Sequence, residues 1–350
     1  MGNIVLLDEL TINKIAAGEV IETSLCDVQG NWLALVNAEE GKRLAFAANG
    51  EAALSALWKD VEKEADVKDV HVSVMALNAN NAALVRRYVK WTAPTACGTK
   101  GASIGFSDWL GEADAVVAEL FGKRQLKPVL VDFTTEDSEA LQRYFVQAVD
   151  TATWGVLEEG YKEGYGANAA GLKTEEEIVK ALLYGYSMIG FDCSDKIDLG
   201  IEKLSDEAVD KRFEQFNETF RAALHASYLN AEFKVGTSKI TFTENQLHRI
   251  VLEYGEAIMH IQFIYNSYLK NTPWDIDFEL DLSKPGKVLT PQEHYLIGNE
   301  LQRNGIKLSS ICLDPLKDSE AVNDNLQLHC EIADTFGYRL SFKNADIAMN

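Results

Sequence analysis

Acids alternate with apolar residues along Asp275-Ile276-Asp277-Phe278-Glu279-Leu280-Asp281, and an extended strand there places Asp275, Asp277, Glu279 and Asp281 on one face. Carboxylates crowded in this way repel one another if buried without a cation. Either the face is solvated or some of the acids hold a metal, with Glu279 and Asp281 standing nearest the end of the strand. His294 follows soon after, just inside a helix that starts at Pro291, and is a candidate third ligand. A second oxygen-rich turn, Asp192-Cys193-Ser194-Asp195, closes a short apolar run. It either orients a sugar hydroxyl or a metal-bound water, or it caps the next segment through an Asx turn. Lys100 and Asp108 lie in a loop with glycines at 98, 101, 105 and 111, where backbone N–H groups can approach an anion. Trp154 opens a stretch of glycines and aromatics running to Asn168, an expected irregular wall that lines a substrate or turns a structural corner. His260 reads as a core histidine, and His71, His225 and His248 show no pattern of their own.

These residues need elements to position them. Trp32 to Asn37 and Leu44 to Ala48 predict a hairpin. The spacing of Leu54, Leu57 and Val61 predicts a helix over 51–64, before a strand at 70–75 and a helix at 78–89. Beyond this, strands and helices alternate. Strands are expected at 128–132, 186–191, 276–282, 308–313 and 338–342. Helices are expected at 138–149, from Thr174 with Glu177 completing a capping box, at 205–225, 244–269, 291–303 and 323–336, with a hairpin over 233–242. Strands that end in Asp132, Asp192 and Asp314, each followed by a helix, indicate an α/β protein, and a β/α (TIM-like) barrel, whole or incomplete, in preference to a doubly wound sheet. An α/β lead-in over 1–94 and a barrel over 95–350 are the expected domains. Dinucleotide, P-loop and zincin motifs do not occur in the chain.

The 54 acidic and 33 basic side chains leave a formal net charge of -21. Such a field disfavours nucleic acid and anionic membrane surfaces, while a local lysine still admits a small anionic substrate. Cys26, Cys97, Cys193, Cys312 and Cys330 follow no disulfide or zinc-ribbon spacing. No leader and no membrane-crossing run interrupts the chain, so a cytoplasmic location is expected.

The glycine loop ending Gly105-Phe106-Ser107-Asp108-Trp109-Leu110-Gly111 is followed by Asp150-Thr151-Ala152-Thr153-Trp154-Gly155-Val156 with Gly164-Tyr165-Gly166-Ala167. Next come the Asp192 to Asp195 turn, Asp275 to Glu279, and Glu331-Ile332-Ala333 with Tyr338-Arg339-Leu340-Ser341-Phe342. In this order, over roughly 95–342, they resemble the tagaturonate epimerase family. The resemblance implies a metal-dependent barrel enzyme that inverts a hydroxyl-bearing carbon of keto-hexuronates. A divalent cation would polarise substrate oxygens and a carboxylate would shuttle the proton. With the residues read above, the expected roles are Asp137 and Asp192 as catalytic residues, Lys100, Asp108, Trp154 and Asp195 as substrate contacts, and Glu279, Asp281 and His294 as metal ligands. The chain departs from the family pattern at Thr134-Thr135-Glu136-Asp137-Ser138, at Ser283-Lys284 and at Lys343-Asn344-Ala345-Asp346, which implies that a ligand histidine and the family's C-terminal portion are missing. The alternative function is therefore a non-catalytic or degenerate homologue that binds a sugar acid, with self-association through an open barrel end. Separately, Leu6 to Glu22 resembles the opening of MutL-type DNA mismatch-repair ATPases.

Overall fold

A computed structural model of the chain describes residues 9–49, 54–106, 114–121, 126–134, 145–282, 289–313 and 319–342. Helix α1 (Glu9–Ala16) leads into an antiparallel sheet of β1 (Gly18–Val20), β2 (Cys26–Val28), β3 (Asn31–Ala38), β4 (Gly41–Asn49), β5 (Val61–Val67) and β6 (Val70–Met75), ordered β1-β3-β4-β6-β5 with β2 also on β3. The expected hairpin is β3–β4. Its alternation sorts the sheet's two faces. Leu33, Leu35, Leu44, Phe46 and Ala48 join a cluster with Trp58, Val85 and Leu157, whereas Val36 and Ala45 pack with Ile12 and Ala16 of α1.

The helix expected over 51–64 is not present. Residues 51–53 lie outside the described residues, Ser55–Leu57 form one tight turn, and β5 follows. Asp60, at φ 51°, takes a left-handed conformation that ends helical continuity. The charged Glu62-Lys63-Glu64 then finds its place on an edge strand paired with β6, where exposed charge discourages further pairing. Helix α2 (Ala79–Tyr88) starts as expected, with the Asn78 side chain accepting from the Asn81 N–H.

The later strands alternate with helices: β7 (Ala102–Gly105), α3 (Asp114–Phe121), β8 (Leu126–Thr134), α4 (Phe145–Glu159), β9 (Gly166–Leu172), α5 (Glu175–Leu183) and β10 (Met188–Asp192). Next come α6 (Asp206–Phe213), α7 (Glu218–Tyr228), the hairpin β11 (Phe233–Val235) and β12 (Ser238–Ile240), and α8 (Glu244–Ile264). The chain continues with β13 (Asp277–Asp281), α9 (Pro291–Arg303), β14 (Ser310–Leu313), α10 (Ser319–Phe336) and β15 (Arg339–Phe342). Leaving out the small hairpin, β7 to β15 follow one another in sequence order in a seven-stranded sheet. The pairs β7–β8, β10–β13, β13–β14 and β14–β15 are parallel. This is an α/β protein with a parallel sheet in a partial, TIM-like barrel flanked by helices. Contacts divide the chain into two compact units, Met1–Ala169 with Ala181–Ser187, and Ala170–Lys180 with Met188–Asn350.

Two further local expectations change. The single helix over 205–225 is two, because Asn217 leaves helical geometry and its side chain accepts from the N–H groups of Thr219 and Phe220, starting α7 afresh. The wall expected at Trp154-Gly155 is the interior of α4, and Gly155 is needed there because a Cβ would meet the Asp114 Cβ of α3 at 2.7 Å. The expected helix over 138–149 is described only from Phe145, where α4 begins.

Candidate functional site

The second unit builds its polar face by strand alternation. On β10 and β13, Phe191 and Phe278 turn toward α8 and the π-helical turn that extends it. The Phe191 ring lies 5.4 Å from that of His260, and the Phe278 ring 5.8 Å from that of Tyr265. Period-two alternation therefore turns Asp192, Glu279 and Asp281 to the opposite face, away from α8. Register brings them together, with Asp192 paired to Asp281 and Glu279 paired to Ser310 on β14. The Ser310 hydroxyl donates to Glu279 Oε2 at 2.7 Å.

Asp277, Glu279 and Asp281 are only 4%, 3% and 7% exposed, which rules out the solvated reading for this part of the strand. Its acids from Asp277 onward are buried, and only Asp275 is exposed to solvent. Buried carboxylates persist when hydrogen bonds or cations offset their desolvation, and the Ser310 hydroxyl supplies one such bond. Adjacent in-register strands lie about 4.8 Å apart, so Asp192 and Asp281 present two carboxylates side by side at the strand ends.

A cation stands beside them. Lys173, immediately after β9, places Nζ 3.5 Å from Asp192 Oδ2 and 3.5 Å from Asp195 Oδ1. The charge of Asp192 foremost, then that of Asp195, raises the Lys173 pKa. Its backbone is held by the expected capping box: the N–H groups of Lys173 and Thr174 both donate to Glu177 Oε2 at 2.9 Å, and Glu177 N–H donates back to Thr174 Oγ1. Asp192 does two things at once. Its Oδ1 accepts from the Ser194 N–H at 2.8 Å, the Asx turn, while Oδ2 faces Lys173. Lys173 carries no motif; its only sequence signal is its place directly after a strand, on the side of a barrel where sites form.

The remaining expected residues are placed as follows. His294 is fully buried in α9, its Nδ1 2.9 Å from His329 Nδ1 and its Nε2 2.9 Å from the Tyr338 hydroxyl, so both ring nitrogens are engaged with protein groups. Burial, and then the neighbouring His329, hold its pKa well below the usual range. In the first unit, Lys100 is exposed just before β7, and Trp154 packs half-buried against the core of the N-terminal sheet. On neighbouring strands of that unit, Asn168 donates from Nδ2 to Asp132 Oδ1 at 2.9 Å, and Asp132 lies inside β8, two residues before its end rather than at the end expected there. Asp108 and Asp137 lie outside the described residues.

Among the described residues one group gathers three metal-type donors, His225, Glu244 and His248, whose ligand atoms all lie within 4.8 Å of one another. Sequence reading gave neither histidine a role. The available signal was Glu244 and His248, four apart on one helix face. Among the described residues, no helix is long and apolar enough to cross a membrane.

Parallel strands in sequence order, helices between them, and carboxylates with a lysine at the strand ends define a partial β/α barrel of the enzyme type. The chain belongs to the tagaturonate epimerase family, whose pattern matches residues 21–345. The tagaturonate/fructuronate epimerase of Thermotoga maritima is 29% identical over 334 residues, which cover 92% of this chain and 68% of that protein. The native crystal structure of the fructuronate-tagaturonate epimerase UxaE from Cohnella laeviribosi superposes with a TM-score of 0.84 at 28% identity, covering 96% of this chain and 70% of that one. A glycerol complex of the same enzyme gives 0.85 at 29% identity, covering 95% and 69%.

These matches correct two expectations. The likeness is not confined to 95–342, since it runs from residue 21 to residue 345 and takes in most of the N-terminal sheet. The MutL-type likeness of the first residues has no counterpart: α1 and β1 are built into that same sheet, with Ile12 and Ala16 packed on Val36 and Ala45.

Proposed function

We propose that this chain is a metal-dependent epimerase of keto-hexuronates of the tagaturonate and fructuronate type, acting in the cytoplasm. The observation that carries the reading is the buried acid face of β10 and β13, with Lys173 beside Asp192, in a chain of this family. Asp192 is the carboxylate that takes and returns the proton at the carbon being inverted, and Lys173 orients it. Asp195, the more exposed partner of Lys173, meets a substrate hydroxyl.

The donor chemistry of β13 suits a hard divalent cation, because Glu279 and Asp281 offer carboxylate oxygens on one buried face beside the Ser310 hydroxyl. These two residues would hold it, and when bound it would polarise the substrate's oxygens. His294 is left out of the ligand set, since His329 and Tyr338 take up both of its nitrogens.

The test is incubation of the purified chain with tagaturonate and each of several divalent cations, following conversion to fructuronate by NMR and binding by calorimetry. Conversion that is lost in Glu279→Ala supports the enzyme. Binding heat without conversion under every cation overturns it in favour of a sugar-acid binder, and silence in both channels overturns both.

A further inference from the structure

We propose that His225, Glu244 and His248 form a zinc-class cation site on the outer side of α8, separate from the acid face of the strands, where it ties α7 to α8. The site is built from two helices. Glu244 and His248 stand four apart in the first turns of α8, and so share one face, while His225 comes from the last turn of α7. At about 100° per residue, His260 and Tyr265 lie roughly 120° and 260° around α8 from His248. Those two rings meet the strands at Phe191 and Phe278. The strand-facing direction thus bisects them at about 190°, and His248 points the opposite way.

The histidines are held as metal ligands are held. Asp210 Oδ1 lies 2.7 Å from His248 Nδ1. A proton on that nitrogen donates to the carboxylate and leaves Nε2 as a bare lone pair, the arrangement by which a carboxylate orients a metal-binding imidazole. That Nε2 faces Nε2 of His225 at 2.8 Å. The Phe213 ring stacks on both imidazoles, 3.8 Å from His248 and 5.5 Å from His225, and fixes their planes. Two imidazoles on a tetrahedral zinc at about 2.0–2.1 Å have their nitrogens about 3.3 Å apart. A cation can therefore replace the shared proton with a parting of the rings by about half an ångström. Imidazole donors select the zinc class over magnesium or calcium. Glu244 is exposed, so the group opens to solvent for entry and for a water in the fourth position.

The experiment uses the full chain, stripped with a chelator and then titrated with Zn(II) alone. Bound metal per chain is measured by mass spectrometry after gel filtration, for the unmodified protein and for His225→Asn, Glu244→Gln and Asp210→Asn. The unmodified protein should retain one zinc more than His225→Asn, and Asp210→Asn should bind that zinc about 10–100-fold more weakly. Co(II) substitution should give the visible bands of a tetrahedral site that vanish in His225→Asn. Glu244→Gln, at an exposed position, guards against misfolding and should weaken the same zinc. Equal zinc content in the unmodified protein, His225→Asn and Glu244→Gln overturns the proposal. Epimerase turnover is not part of the readout, so failure of the proposed activity leaves this test intact.

Discussion

His294 makes a quantitative prediction about pH. The Tyr338 hydroxyl and His329 flank it, and a neutral His294 satisfies the chain of bonds, one ring nitrogen donating and the other accepting. A second proton on His294 has nowhere to donate in that chain. Burial, then the neighbouring His329, hold its pKa well below the ordinary 6.5, and burial also lowers that of His329, with a backbone contact at Leu289 opposing. The unfolded chain binds a proton below pH 6.5 and the folded chain does not, so this contribution to stability is intact above 6.5 and lost as pH falls. Between pH 7.5 and 5.5 the loss from His294 is about 1.4 kcal/mol, with His329 adding in the same direction up to a similar amount. The assay is urea denaturation at the two pH values for the unmodified protein and for His294→Gln, which hydrogen-bonds but does not titrate. Groups of opposite sign, such as Asp150 and Glu159 with their pKa raised by burial, are common to both proteins and cancel in the comparison. The loss on acidification should shrink by about 1.4 kcal/mol in the variant. Equal losses in the two proteins would refute the claim that His294 stays neutral in the fold.

Arg86 reaches Asp150 at 2.7 Å and Thr153 at 2.8 Å, with both charged side chains largely buried, so Arg86→Met should cost about 3–5 kcal/mol by stranding the Asp150 carboxylate. Adding Asp150→Leu should recover much of this in the same urea titration, and no recovery would count against the pairing. Gly298→Ala gains about 1 kcal/mol of helix propensity, but its Cβ would lie 2.7 Å from a Phe336 ring carbon and from the Tyr338 hydroxyl. Overpacking of that kind costs about 1–3 kcal/mol, so the thermal midpoint should fall; a rise would show that α10 yields. Asp192→Asn should lower turnover of tagaturonate by about 10²–10⁴-fold if it carries the proton, and unchanged turnover would remove it from the mechanism.

Much of the parallel-strand architecture was legible because its signals are local. The capping box at Thr174 and the run Met188 to Asp192 each act within a few residues. Where the outcome depended on partners distant in sequence, local reading went astray. Leu54, Leu57 and Val61 have helical spacing, but Val61 to Val67 has an edge of β6 to pair with, and pairing prevailed. His225 and His248 are 23 residues apart on two different helices and meet only in the folded chain, so no spacing rule could join them. The acid strand shows the boundary between the two cases. Alternation alone put Glu279 and Asp281 on one face, but whether that face is wet depends on where α8 lies. Because Phe191 and Phe278 direct their rings to His260 and Tyr265, the acids must turn the other way, onto the opposite face of the sheet, where Glu279 and Asp281 are buried. The direction of these carboxylates is thus a consequence of aromatic packing on the opposite side of the same strand. Loss of the Phe278 ring would loosen the acid face as directly as a change to the acids themselves.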